Sequence, residues 1–153
     1  MKNNDNEMKS YKIWFKAAAW YNLIWGLFVG LFPAVYFDLI GMEQPKYLAI
    51  WQVVGMCVLV YAPGYWWVSK NPVKFRHYIV IGLLGKFLGP VGFVWSAYNG
   101  LLPIEFGFTL ITNDLIWWPV FFMFLFKMSK ENGGWLALVS GEEGTSSRGP
   151  HNE

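Results

Sequence analysis

The sequence predicts an all-α fold, an integral membrane four-helix bundle with both termini cytoplasmic. Three observations predict it. Four apolar stretches, each near the roughly 20 residues that cross a hydrocarbon core of about 30 Å, fill most of the 153-residue chain. Charged residues make up only 14% of it, against roughly 25% in a soluble domain. The basic residues, finally, alternate with the stretches. Lys2, Lys9, Lys12 and Lys16 precede the first, Lys70, Lys74 and Arg76 separate the second from the third, and Lys127 and Lys130 follow the fourth, while the opposite side has Lys46 among Asp38, Glu43 and Glu105. Cytoplasmic flanks keep positive charge during insertion, which sets the orientation.

The first crossing is expected from about Phe15 to Phe32, entered at Trp14 and Trp20 and ended or kinked by Pro33, with Ala34 to Met42 lying along the surface before Pro45. That run is too long for a signal peptide's hydrophobic region and no small-x-small site closes it, so it is expected to be retained. The second runs from about Tyr47 to Val68, interrupted by Pro63-Gly64 and finishing at Trp66-Trp67. A basic loop, Ser69 to His77, leads to the third, about Tyr78 to Tyr98. The fourth runs from about Gly107 to Phe126, after the turn signals Asn99-Gly100 and Pro103. Residues 1–12 then form a polar N-terminal segment, 13–128 the transmembrane domain, and 129–153 a polar tail expected to be disordered, with an apolar patch at Trp135 suited to the membrane surface.

Several function classes drop out. A net charge of +2 is too slight for a nucleic-acid partner. The single cysteine, Cys57, excludes an internal disulfide and a Cys-based metal cluster. His77 and His151 lie outside the crossings and so cannot supply paired axial haem ligands. No phosphate loop, nucleophile elbow or metal-binding helix motif is present, so no metal or cofactor is expected and an enzymatic role has no residues to rest on.

What remains is polar chemistry inside the apolar layer. Lys86 and Asp114 lie well within the third and fourth stretches, where charges are costly and normally pair or line a polar pathway. At 1.5 Å per residue Lys86 is about 12 Å beyond Tyr78 and Asp114 about 10 Å inside Gly107, so a lysine stem bridges the difference in height. Gly82, Gly85, Gly89, Gly92 and Ser96 make one stripe on the third helix, with Lys86 at its edge, and Gly26 and Gly30 make a small-xxx-small element on the first. Asn113 and Thr112 extend the polar face beside Asp114, and Pro119 is expected to bend the helix there. Trp117 and Trp118 fall near mid-layer, either flooring a cavity or filling space while donating their indole hydrogens. Asn22 and Gln52 give the other two helices one inward polar group each. The candidate ligand-binding residues are therefore Asn22, Gln52, Lys86, Asn113, Asp114 and Trp117. A purely structural clamp between the third and fourth helices is the alternative.

At Trp20 to Gly26, Ile50 to Met56, Gly82-Leu83-Leu84-Gly85-Lys86 and Asn113-Asp114-Leu115-Ile116-Trp117-Trp118, the chain resembles a family of small bacterial four-helix membrane proteins close to the DoxX-like group. The likeness covers about Lys12 to Lys127. It implies the same four-crossing fold but no established activity, and the DoxX relatives imply a quinone partner for which this chain has no redox ligand set. Some relatives are labelled alkyl hydroperoxide reductase, a role that asks for a reactive cysteine, whereas Cys57 sits among Gly55, Met56, Val58 and Leu59, where a thiolate is destabilised.

The sequence thus leads to an inner-membrane, multi-pass protein whose partners are the lipid bilayer and a small or amphipathic ligand held at a polar intramembrane site, with a transport role in view. The alternatives are an accessory or assembly subunit that binds another membrane protein or a second copy of itself, and a quinone-linked redox subunit.

Overall fold

Proline is the residue most able to stop a helix, because it lacks the amide that would continue the ladder and its ring crowds the carbonyl four residues back. The structure, a computed structural model, describes residues 2–131 and 133–140. Among the described residues there is only helix, turn and irregular chain. The helices are α1 (Lys2–Leu31), α2 (Pro33–Ile40), α3 (Leu48–Lys70), α4 (His77–Tyr98), α5 (Gly107–Asn113), α6 (Trp118–Glu131) and α7 (Trp135–Ser140), with 3-10 turns at Ile104–Phe106 and Leu115–Trp117. Pro33 opens α2 and Pro119 sits in the first turn of α6, but Pro63 and Pro90 lie inside α3 and α4, so the interruption expected at Pro63-Gly64 does not occur and the helix runs through it.

Leu48–Lys70, His77–Tyr98 and the composite Ile104–Glu131 are long and apolar enough to cross a bilayer, and α1 meets that test only together with α2, across a bend of 100°. The chain therefore has three to four candidate spans. Lys16, Asn22 and the rings of Trp20, Tyr21 and Trp25 dilute the aliphatic content of α1, which is why its apolar length falls short by itself.

The four rods run antiparallel to their neighbours. Trp20 meets Trp66 at one level and Trp25 meets Trp51 at another, so α1 and α3 point in opposite directions. Gly26 and Gly55 bring these two helices to backbone contact, since a Cβ on Gly26 would lie 2.8 Å from the Gly55 oxygen. On α4, Tyr78 packs on Gly64 and Gly82 on Tyr65, and further along Phe87 stacks on Trp118 and Phe93 on Phe106. The ring closes where Phe15 of α1 meets Phe121 and Phe124 of α6. The turn after α4 needs a left-handed residue, supplied by Gly100 at φ 68°, and α2 ends the same way at Gly41.

Two aromatic clusters cap the bundle. At the end that carries both helical termini, Tyr11, Phe15, Tyr65, Phe121 and Phe124 form the buried core. At the far end α2 folds back so that Tyr36, Phe37, Trp25, Trp51 and Phe106 interlock, and the Tyr36 hydroxyl bonds the Thr109 hydroxyl of α5.

α1 is continuous from Lys2, and Tyr11 packs edge-on against Phe124 at 5.3 Å. α6 continues through Glu131, and α7 carries Leu138 into the core at 1% exposure, because that leucine fills a gap beside α4 and α6 that lipid or water would otherwise occupy. Trp135 itself is half exposed. Residues 141–153 lie outside the described residues.

A methyl group at position 26 has only backbone to displace, so Gly26→Ala is expected to destabilise the bundle by about 1–3 kcal/mol. Gly30→Ala, with nothing within 4 Å of its Cβ, is expected to change stability by less than about 0.5 kcal/mol or to raise it; unfolding in detergent titrated with dodecyl sulfate measures both. At the other end Lys127 Nζ donates to Glu7 Oε2 at 2.7 Å, and that bond holds the Glu7 carboxyl below its ordinary value of 4.5. A depressed folded-state value means stability that is present above the unfolded value and lost as pH falls through the folded one. Wild type should exceed Glu7→Gln slightly in thermal stability at neutral pH, and the two curves should merge below pH 4.5.

Candidate functional site

The break in the last rod builds the site. Thr112, Asn113 and Asp114 are poor interior helix residues whose short polar side chains compete with the backbone ladder, and Pro119 removes the bond to Leu115 just downstream. α5 therefore ends at Asn113, Asp114 leaves helical geometry at φ −121°, ψ −60°, and a single 3-10 turn leads into α6. Carbonyls freed where water is excluded must find donors. Trp117 Nε1 donates to Thr112 O at 3.1 Å, and Lys86 Nζ donates to Asn113 O. The lysine thus caps the carbonyl end of a half-helix, where positive charge is favoured.

The same ammonium pairs with Asp114 Oδ1 at 3.8 Å, with both residues 5% exposed. Asn113 Nδ2 donates to that carboxylate oxygen at 3.0 Å, and Gly89 of α4 leaves room for the other, since a Cβ there would lie 3.1 Å from Asp114 Oδ2. Behind the lysine, 5.9 Å from Nζ, is the ring of Trp117. A second proline effect locks the lysine's own backbone. Pro90 cannot donate to the carbonyl of Lys86, and Trp118 Nε1 occupies it instead at 3.1 Å.

Above this floor is a cavity of about 280 Å³ between α1, α3, α4 and the break. Its polar lining is Asn22, Lys86, Asn113 and Asp114, with Tyr61 and Tyr65 at one edge. Asn22 is 2% exposed and its Oδ1 has no hydrogen-bond partner; Asn113 Oδ1 is likewise buried and unpartnered. Such atoms cost roughly 1–3 kcal/mol each when left dry, so the cavity concentrates unsatisfied acceptors at its floor. Among the described residues no three His, Cys, Asp or Glu side chains come together as a metal site.

Four of the six residues singled out from sequence therefore line one cavity. Gln52 and Trp117 do not. Gln52 Nε2 donates to Gly30 O at 3.0 Å, at the end of α1 where Pro33 interrupts the ladder, so its amide is spent on a backbone group. Trp117 is buried with its indole hydrogen already given to Thr112 O; it backs the lysine rather than flooring the cavity. Sequence reasoning left Trp118, Tyr61 and Tyr65 out of the site. The signal for Trp118 was Pro90 four residues after Lys86, and for the tyrosines their i, i+4 spacing opposite the glycine stripe, where their hydroxyls lie over Gly85 and Gly82. Compared with known proteins, the chain matches no family model, no curated protein and no solved structure.

Two measurements probe this wiring. Trp118→Phe strips the donor from a carbonyl that Pro90 has freed, and should cost about 1–2 kcal/mol. In a Pro90→Ala background the helix supplies its own amide, so the same change should cost less than half as much, giving a clear coupling in a double-mutant cycle. Asn22→Leu removes an unpartnered amide while keeping the branch at Cγ, the added methyl volume facing the cavity, and its thermal unfolding temperature should equal or exceed that of wild type.

Proposed function

We propose that this is a multi-pass integral membrane protein, with both termini cytoplasmic, that binds a small or amphipathic ligand at the broken helix. One observation carries the reading: the Lys86–Asp114 pair and two buried, unpartnered carboxamide oxygens border the same cavity. A clamp alone calls for the ion pair but not for the space beside it, and interiors are otherwise packed with few voids larger than a water molecule. Membrane residence is supported by the outer surface, where Ile24, Val60, Val94 and Met123, one from each rod, are all more than 60% exposed. Apolar surface on every side far exceeds the few hundred Å² patches of soluble monomers. Orientation is supported by the basic residues flanking α1, α3, α4 and α6, which gather at the end where Lys127 meets Glu7.

The assembly-subunit alternative relies on free glycine faces, and most of these glycines are used within the chain. Gly26 and Gly55 contact each other's helices, Gly82 and Gly85 receive Tyr65 and Tyr61, and Gly89 receives Asp114.

Breaking a buried pair by removing one partner costs about 3–5 kcal/mol, whereas an apolar pair of similar volume is often neutral. Lys86→Met should accordingly unfold readily, and Lys86→Met with Asp114→Leu should regain most of the loss. Native mass spectrometry of the protein purified from its membrane should then show a small-molecule adduct on wild type that the restored double variant lacks. A stable double variant with the adduct intact would sink the reading.

A further inference from the structure

The cavity is open on one side, and what forms that side defines what enters. Ile50, Val53, Val54, Cys57, Val58 and Tyr61 line it from α3; their spacing of three, four, seven, eight and eleven places them on one face. Ile50, Val53, Val54 and Cys57 are exposed along that face. α3 and α4 touch near the basic end, where Tyr78 meets Gly64, Tyr65 meets Gly82 and Tyr61 meets Gly85, but no atom of α3 is among the nearest neighbours of Gly89, and nothing lies within 4 Å of Gly92. The two helices splay apart like a fork. Exposed Val53, Val54 and Cys57 stand along the flank of α3, so the cavity is bordered there by exposed side chains of the helix flank.

We infer, building on the proposed intramembrane site, that the ligand is an uncharged single-chain amphiphile whose hydroxyl-type head enters sideways between α3 and α4, leaving its tail in the fork. Size argues for the tail. About 280 Å³ is at the small end of ligand pockets, which run roughly 300–1,000 Å³, so it accepts a head and the first methylenes and no more. Charge argues for a neutral head. Lys86 and Asp114 already offset each other at 3.8 Å, so an anion brought to the lysine also meets the carboxylate, and a cation brought to the carboxylate also meets the ammonium. Hydrogen bonding argues for a donor, because the two unpartnered atoms, Asn22 Oδ1 and Asn113 Oδ1, both accept. A hydroxyl satisfies one of them and asks for no countercharge.

Cys57 is the chain's single cysteine and lines the mouth, so its rate of labelling by N-ethylmaleimide reports occupancy. In full-length protein in lipid nanodiscs, 1-dodecanol should slow labelling by about fivefold, the scale of one hydrogen bond. Dodecanoate, dodecylammonium and glycerol should each leave the rate within about twofold. The dodecanol effect should vanish in Asn22→Leu, with unfolding checked in parallel, and in Asn113→Ala as a second variant should the first fold poorly. Dodecanoate or dodecylammonium protecting as well as the alcohol would overturn the neutral head. Equal protection by glycerol would overturn sideways entry while leaving a polar site in place. Protection by every amphiphile that persists in both variants marks general lipid coverage and overturns the inference. No protection by any probe, with the purified adduct still present on wild type, removes this ligand class alone; loss of both removes the site.

Discussion

A backbone carbonyl released inside an apolar bundle has no water to turn to, and this requirement sets much of the interior hydrogen bonding. At three places a carbonyl freed from a helical ladder is taken by a donor from another segment or the next turn. Where Pro33 ends α1, Gln52 of α3 reaches Gly30 O. Where Pro90 withholds an amide from Lys86 O, Trp118 of α6 provides one. Where α5 stops, Trp117 and Lys86 take Thr112 O and Asn113 O. Gln52, Lys86, Trp117 and Trp118 are thus tied to the freed carbonyls, which their donors satisfy. Interhelical hydrogen bonds in membranes average about 0.6 kcal/mol, so no single bond holds the fold. Together they fix which faces of otherwise uniformly apolar helices turn inward.

Lys86 is the point where the requirement becomes a site. Its backbone carbonyl is held by Trp118, its ammonium by Asn113 O, and its charge by Asp114. A lysine tied at both ends cannot extend its head to the surface, as long basic side chains ordinarily do. It stays at depth, and the carboxylate stays with it because an unpaired buried charge costs far more than the pair. Glycine at position 89 makes room for the carboxylate, so the stripe on α4 serves the ion pair as well as the helix packing.

The long apolar helices, the end of α1 at Pro33 and the partnership of Lys86 with Asp114 were legible in the sequence because each depends on length, composition or height, which an α-helix converts directly into distance. Rotation was not. In a bundle whose inside and outside are both apolar, hydrophobic periodicity carries little information about which face is buried, so Gln52 and Asn22 looked alike although one bonds a backbone carbonyl and the other faces the cavity. The role of Asn113 was legible as a polar neighbour of Asp114 but not as the residue whose carbonyl receives Lys86, since that follows from where the helix breaks. The helix α7 escaped notice for another reason: six residues are too few to show a period, and the burial of Leu138 comes from a gap that only the packed α4 and α6 create.

The unpartnered oxygens of Asn22 and Asn113 distinguish a site from a clamp more sharply than the ion pair does. A clamp is complete once its charges meet, and every further polar atom at its edge is a liability of roughly 1–3 kcal/mol. Nothing in the local helix geometry forces an asparagine at position 22, which lies in the middle of α1 away from any break. Leucine would fit the same turn with better helix propensity. The apolar alternative would leave the wiring of Lys86 untouched, since Asn22 makes no bond to it. An amide at that position therefore adds a polar group to the cavity lining without adding a bond to the wiring of Lys86.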